Sequence, residues 1–248
     1  MKRTVIISDL QQPYGDRKAI DAVAEFIEDY EPDLVACVGD EADLPMLSRW
    51  TRGSKGEFTG DIAKHRDATV EVLKQLQIDV ISRSNHGDRL WTSISTRLPG
   101  LMGLPELEYS TFFRHDELGI EFAREPYPLS KDIVLMHGDE GSTSRHGGMT
   151  AHGLSARTGK GVICGHSHRM GLVPFTEMVG SKVTRTRWAM EVGHLIDIRS
   201  PGMAYTKGIA NWQQGFGLLI EDGSNITPVP VPIVNKSFIV DSVRYSWK

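Results

Sequence analysis

The stretch VICGHSHRM, residues 162 to 170, ends an apolar run with a glycine and then sets His166 and His168 one serine apart. Imidazoles just past a buried strand are poor core residues and good ligands for divalent metals. Four other apolar runs finish in the same manner. Asp9-Leu10-Gln11 follows TVIIS, and Gly39-Asp40-Glu41-Ala42-Asp43 follows DLVACV. Ser84-Asn85-His86-Gly87-Asp88 follows IDVISR, and His137-Gly138-Asp139 follows DIVLM. In an α/β sheet the carboxyl ends of the strands meet at one crevice, so these side chains are expected to converge. Asp, Asn and His together suit Mn²⁺, Fe²⁺ or Zn²⁺, and one shared carboxylate would let them hold two ions. Such a pair generates hydroxide near neutral pH and clamps a phosphoryl group during in-line displacement. No cysteine lies in the clusters, which argues against a structural zinc site. Buried without partners, Asp9, Asp40, Asn85, His137, His166 and His168 would each be expensive.

The elements that must position these residues are legible in outline. TVIIS (4–8) is a short β-branched strand, and 16–30 carries Ile20, Val23, Phe26, Ile27 and Tyr30 at helical spacing behind an Asp16 N-cap. Pro32 stops that helix, and 33–39 is a second buried strand, completing a βαβ unit with a right-handed crossover. A helix over 61–76 and a strand over 78–84 follow. Residues 88–118 read as a mostly helical insertion over one edge, broken by LPGLMGLPE. Beyond it short strands dominate, at 120–124, 132–136, 161–164, 171–177, 182–191, 215–221 and 226–234. The region 137–160 between them is polar and glycine-rich. With no repeat and no linker-like tract, residues 1–248 form one mixed α/β domain.

At this point the chain resembles the calcineurin-like metallophosphoesterases. That family is recognised by D-x-H, G-D-x-x-D, G-N-H-[DE], a lone histidine ending a strand, and G-H-x-H. The matching segments run in order from residue 4 to about 170. The resemblance implies a four-layer α-β-β-α sandwich of two mixed sheets, with a dimetal site at the strand C-terminal ends. It implies that Asp9, Gln11, Asp40 and His168 surround one ion, and that Asp40, Asn85, His137 and His166 surround the other. His86 would contact the phosphate and protonate the leaving oxygen, with Asp43 orienting it. Two divalent ions are the implied cofactors, Mn²⁺ ahead of Fe, Zn or Ni. Two departures stand out. Gln11 replaces a histidine, an amide being a weaker ligand than imidazole for transition metals. Ser84 and Gly87 replace the glycine and the acidic residue that flank Asn85-His86.

The function implied is hydrolysis of a phosphate ester by a two-metal-activated hydroxide, with phosphodiesterase or nuclease action first. The alternatives are a phosphomonoesterase acting on nucleotides, small molecules or phosphoprotein, and a catalytically weak metal-binding scaffold. The substrate is a phosphate ester, nucleic acid or nucleotide included, and Arg89, Arg145, His146 and Arg169 are candidates to touch it. The resemblance extends loosely to compact bacterial and bacteriophage members, NWQQGFG (211–217) included. Trp212 in that segment is as well read as a packed residue as a substrate contact. His65 reads as a surface residue, His115 as a structural helix-end residue, and His194 as a candidate neighbour of the ligands.

Bulk properties exclude some classes. The net charge of −4 leaves no global electrostatic footprint for nucleic acid, and no basic stripe with interleaved aromatics is visible. No run reaches the ~18 apolar residues of a membrane span, and the N-terminus turns polar too soon for a secretory signal. Cys37 and Cys164, both in apolar runs, read as reduced core thiols. A soluble, cytoplasmic chain with no membrane partner is the expectation.

Overall fold

The computed structural model describes residues 1–207 and 210–248. β1 (Lys2–Ile7) turns Val5 and Ile7 to one side and Ile6 to the other, as the period of a strand requires. α1 (Arg17–Tyr30) starts at Asp16, whose carboxylate accepts from Ala19 N at 3.3 Å. It ends at Glu31 in the left-handed conformation, so the stop lies one residue before Pro32. β2 (Leu34–Cys37) then pairs parallel with β1, Cys37 opposite Ile7. After the short α2 (Lys55–Phe58), α3 (Ile62–Gln75) leads into β3 (Val80–Ser82), parallel to β2.

Residues 88 to 118 connect β3 to β4. They comprise α4 (Asp88–Arg97), two 3-10 turns, α5 (Tyr109–Phe112) and α6 (His115–Leu118). Leu90, Ile94 and Phe113 pack with Ala42, Leu44 and Met46, so the segment closes over the loop that leaves β2. β4 (Glu121–Ala123) ends the parallel run. β5 (Tyr127–Pro128) and β6 (Ile133–Leu135) begin a second sheet, and α7 (Met149–Thr158) carries the chain to β7 (Gly161–Cys164), parallel to β6. β8 (Met170–Val179) and β9 (Lys182–Val192) form a long hairpin, β9 lying parallel to β7. β10 (Gly215–Asp222) returns to the first sheet antiparallel to β1, followed by β11 (Asn225–Pro232). β12 (Ser237–Val240) and β13 (Val243–Ser246) make a separate hairpin.

The result is two mixed sheets, ordered β11-β10-β1-β2-β3-β4 and β5-β6-β7-β9-β8. Ile6, Ala36, Val80, Ile133, Ile163, Met190 and Leu219 pack between them. The other face of the first sheet is covered by α1 and α3 through Val23, Phe26, Val72 and Leu73, and that of the second by α7 through Ala151 and Leu154. This is the four-layer α-β-β-α arrangement, built because each sheet is apolar on both faces.

The sequence reading lacks α2, β5, α7 and the β12–β13 hairpin. α7 lies inside the region read as a polar loop. Its Gly, Ser and Thr content weakens the helical signal, and the burial of Ala151 and Leu154 on the sheet supplies what propensity does not. The β12–β13 hairpin was also missed. Phe238 anchors it in an aromatic group with Phe26, Phe216 and Tyr245.

Candidate metal centre

Asp9, Asp40, Asn85, His137, His166 and His168 all sit just past the carboxyl ends of β1, β2, β3, β6 and β7. Backbone hydrogen bonds lace these ends together. Asp9 N donates to Gly39 O (3.1 Å), Gln11 N to Asp40 O (2.8 Å) and Gly165 N to His137 O (2.9 Å). Two glycines make the approach possible. A Cβ at Gly165 would fall 1.7 Å from Ser8 Oγ and 2.5 Å from Asp9 Oδ2, so only glycine lets the β7 end come this close to β1. At Gly39 φ is +94°, and a Cβ there would stand 2.6 Å from Ser84 Cβ.

Five of the expected ligands have left-handed backbone: Asp9 (φ 51°), Gln11 (40°), Asp40 (55°), His166 (63°) and His168 (57°). Each such residue costs on the order of 1–3 kcal/mol and persists only where the surroundings over-determine it, typically at functional sites.

Among the described residues, Asp40, His137 and His166 bring their ligand atoms within 4.8 Å of one another. Asn85 joins them, its Oδ1 3.0 Å from His137 Nε2. His137 Nδ1 donates to Val38 O at 2.7 Å, which leaves the Nε2 lone pair facing inward. Around that lone pair stand Asp40 Oδ2 (3.3 Å), Asn85 Oδ1 and His166 Nδ1 (3.3 Å). So many electron-rich atoms need a positive charge among them, which a proton on His137 Nε2 or a divalent cation would supply.

Burial alone would lower the His137 pKa, but the Asp40 carboxylate overrides it and raises it. In return, and against its own burial, Asp40 is held well below the usual carboxylate range by His137 and His86. His166 is lowered by burial and by His137.

Asp9, Gln11 and His168 form an adjoining group on the β1 side. Asp9 Oδ2 accepts from His166 N at 2.9 Å and from the Ser8 hydroxyl, while Asp9 Oδ1 lies 3.0 Å from His168 Nε2. Gln11 Nε2 is 3.2 Å from the same nitrogen, and Gln11 Oε1 is buried with no hydrogen-bond partner. Carboxylate, amide oxygen and imidazole in these two groups are a donor set that fits divalent cations.

His86 stands at the rim. Its Nδ1 lies 2.8 Å from Asp43 Oδ1, and its Nε2 is 3.8 Å from Asp40 Oδ2. Arg89 braces the pair: it donates to the Asp43 carboxylate at 3.0 Å and to the Asp43 carbonyl, and its second terminal nitrogen lies 2.8 Å from His86 Nε2. Of the other candidate substrate contacts, Arg169 lines the cleft over the metal groups with Thr143, Tyr205 and Trp212. Arg145 and His146 are exposed and do not line it.

The departures around Asn85-His86 have local explanations. Ser84 Oγ accepts from Gly87 N at 3.2 Å. A Cβ at Gly87 would come within 3.0 Å of the Tyr109 hydroxyl, which donates to Glu41. Glycine thus makes room for a tyrosine from the 88–118 segment. Glu41 itself, fully buried beside Asp40, is pushed up to about 7 by burial, the Tyr109 hydrogen bond offsetting part of the rise. Sequence reasoning missed Glu41, since a carboxylate next to a ligand reads as part of the motif. It also missed Glu191, which is buried and accepts from Ser167 Oγ (2.6 Å) and Gly148 N, holding the loop that carries His168. An acidic residue late in a strand carries no signal of that kind.

The remaining histidines divide. His194 is buried, its Nδ1 accepts from Ile196 N (3.0 Å), and burial holds its pKa at about 3. It lies beside His168, and Trp212 packs edge-on against both rings, 4.2 Å from His168. His65 is half-buried against Tyr14 rather than on the surface. His115 begins α6 and is fully buried among aromatics, because the 88–118 segment folds back on itself.

The two sheets, their helical layers and the Asp, Asn and His residues gathered at the strand ends agree with the fold and site that the resemblance to calcineurin-like metallophosphoesterases implies. No family model matches the chain. The chain is 36% identical over 250 aligned positions to the gene 54 protein of Mycobacterium phage D29, covering 97% of each, and 35% identical with the same coverage to that of Mycobacterium phage L5. It belongs to the family of these phage gene 54 proteins.

Among solved structures it is similar to vacuolar protein sorting 29 of Cryptosporidium parvum, at 15% identity, with 98% and 94% of the two chains covered and a TM-score of 0.49. It is also similar to the phosphoesterase Yfce of E. coli, at 17% identity, 92% and 98% coverage and a TM-score of 0.36.

Among the described residues no helix is long and apolar enough to cross a membrane.

Proposed function

We propose that the protein is a metal-dependent phosphodiesterase of nuclease type. Asp9, Gln11, Asp40 and His168 would hold one divalent ion and Asp40, Asn85, His137 and His166 the other, Mn²⁺ first. When bound, the ions would lower the pKa of a water molecule and neutralise charge on the phosphoryl group.

The observation that carries the reading is His86, standing over Asp40 with Asp43 at 2.8 Å from its Nδ1. The ring lines the cleft with Nε2 accepting from Arg89, and once protonated there it can give a proton to the departing alcohol oxygen. A metal-binding scaffold needs no such pair. Arg89 adds a guanidinium beside the same nitrogen, suited to a second phosphate oxygen. Arg169 supplies another guanidinium in the lining of the cleft. The two free, buried cysteines suit a reducing compartment, so cytoplasmic residence is part of the proposal.

One screen tests it: aryl phosphate mono- and diesters, cyclic nucleotides, and single- and double-stranded DNA, each with Mn²⁺ and with chelator. Diester cleavage abolished by chelator is the expected result. Cleavage confined to monoesters would make the protein a phosphomonoesterase. Silence toward all of them despite bound metal would make it a scaffold.

A further inference from the structure

Three clefts adjoin one another through shared lining residues. The cleft over the metal groups, about 270 Å³, shares His86 and Tyr205 with a neighbour of about 500 Å³. That neighbour shares Ser48, Trp50 and Arg89 with a third, about 380 Å³, which also touches Asn85.

The part of this trough between the loop at 47–52 and α4 is basic and aromatic. Trp50 is 80% exposed at the point common to the second and third clefts, and Arg49 lies over its ring at 4.7 Å. Arg52 follows on the same loop. Facing them, α4 presents Arg89, Thr92, Ser93, Thr96 and Arg97, which its helical spacing sets on one face. Asp43 and Glu57 engage Arg89 and Arg97, so the guanidiniums outnumber the carboxylates they pair with, in a chain whose net charge is negative. An exposed indole beside arginines and hydroxyls, in a groove leading to a phosphoryl site, matches a strand of phosphates carrying unstacked bases.

We propose that this trough binds single-stranded nucleic acid, a base stacking on Trp50 and the backbone passing Arg49, Arg52 and Arg89 toward the metal groups. The proposal rests on the phosphodiester reading above and names its substrate. Sequence inspection finds no basic stripe because the loop and α4 come together only in the fold.

The test measures binding, not turnover, so that the two readings fail separately. Full-length protein in chelator is titrated into a fluorescein-labelled oligothymidylate of about a dozen nucleotides, followed by anisotropy. Trp50→Ala is expected to weaken binding about 10-fold, with Trp50→Phe retaining most of it. Reversing Arg49 and Arg52 to Glu should flatten the slope of log affinity against log salt by about 1.4. Circular dichroism checks that each variant is folded. Equal affinity of wild type, Trp50→Ala and the double reversal overturns the proposal. So does tighter binding of a phosphoserine peptide or of duplex DNA than of the oligothymidylate. Trp50-dependent binding by a protein that cleaves nothing would uphold the trough and defeat the enzymatic reading.

Discussion

Acid should destabilise this protein through His115, and replacing that residue should remove the effect. His115 is fully buried against Tyr109, Phe113 and Phe122, and neither ring nitrogen has a hydrogen-bond partner. Burial lowers its pKa from 6.5 to about 4, Asp116 offsetting part of the drop. The unfolded chain therefore takes up a proton first as pH falls, and between the two values stability declines with pH. The loss is about 2 kcal/mol by about pH 5 and about 3 kcal/mol by about pH 3. For a chain of this size 2 kcal/mol is a fall of roughly 4–8 °C in Tm.

Glu41 works in the opposite direction. Its folded pKa is raised from 4.5 to about 7, so its contribution is present at low pH and lost as pH rises through about 7. The two effects overlap in the wild type, but the Glu41 part cancels in the difference between wild type and His115→Phe. Urea unfolding of both proteins over a pH series is the assay. The stability advantage of the variant should grow by about 2 kcal/mol between about pH 8 and about pH 5. His115→Leu serves as a second variant should phenylalanine prove too large for the site. A difference that stays constant over that range would refute the reasoning.

Other outcomes follow from the site. His86→Ala should lower turnover of a diester substrate by about 10²–10⁴-fold while metal content stays unchanged, and full turnover would contradict its role as proton donor. Mn²⁺ at about 100 times its Kd should stabilise the protein by about 2.7 kcal/mol for each site filled, or roughly 5–10 °C in Tm. His137→Ala should remove the part of that gain that its own ion supplies, and the absence of any shift with Mn²⁺, Fe²⁺ and Zn²⁺ would count against the metal centre. Gln11→His should tighten binding at the Asp9–His168 group, since imidazole is the stronger ligand for these ions. Unchanged stoichiometry and affinity in titration calorimetry would speak against it.

What the sequence determines by itself is local. The apolar runs that become β1, β2, β3, β6 and β7 are β-branched and short, and each stops at a polar group, so the strands and the positions of Asp9, Asp40, Asn85, His137 and His166 can be read from neighbours in the chain. α1 and α3 are legible for the same reason, through their periodicity and, for α1, its Asp16 cap. What only the tertiary structure decides is non-local. α7 and the β12–β13 hairpin exist because sheets and aromatics elsewhere accept them. His115 is buried because the 88–118 segment folds back on itself, and Glu41 is held by a tyrosine from that same segment. The left-handed backbone at Asp9, Gln11, Asp40, His166 and His168 leaves no trace in residue type, because strands from two sheets meeting at one point impose it. Arg49, Trp50 and Arg89 line one trough for a like reason: separation along the chain says nothing about distance until the core has packed.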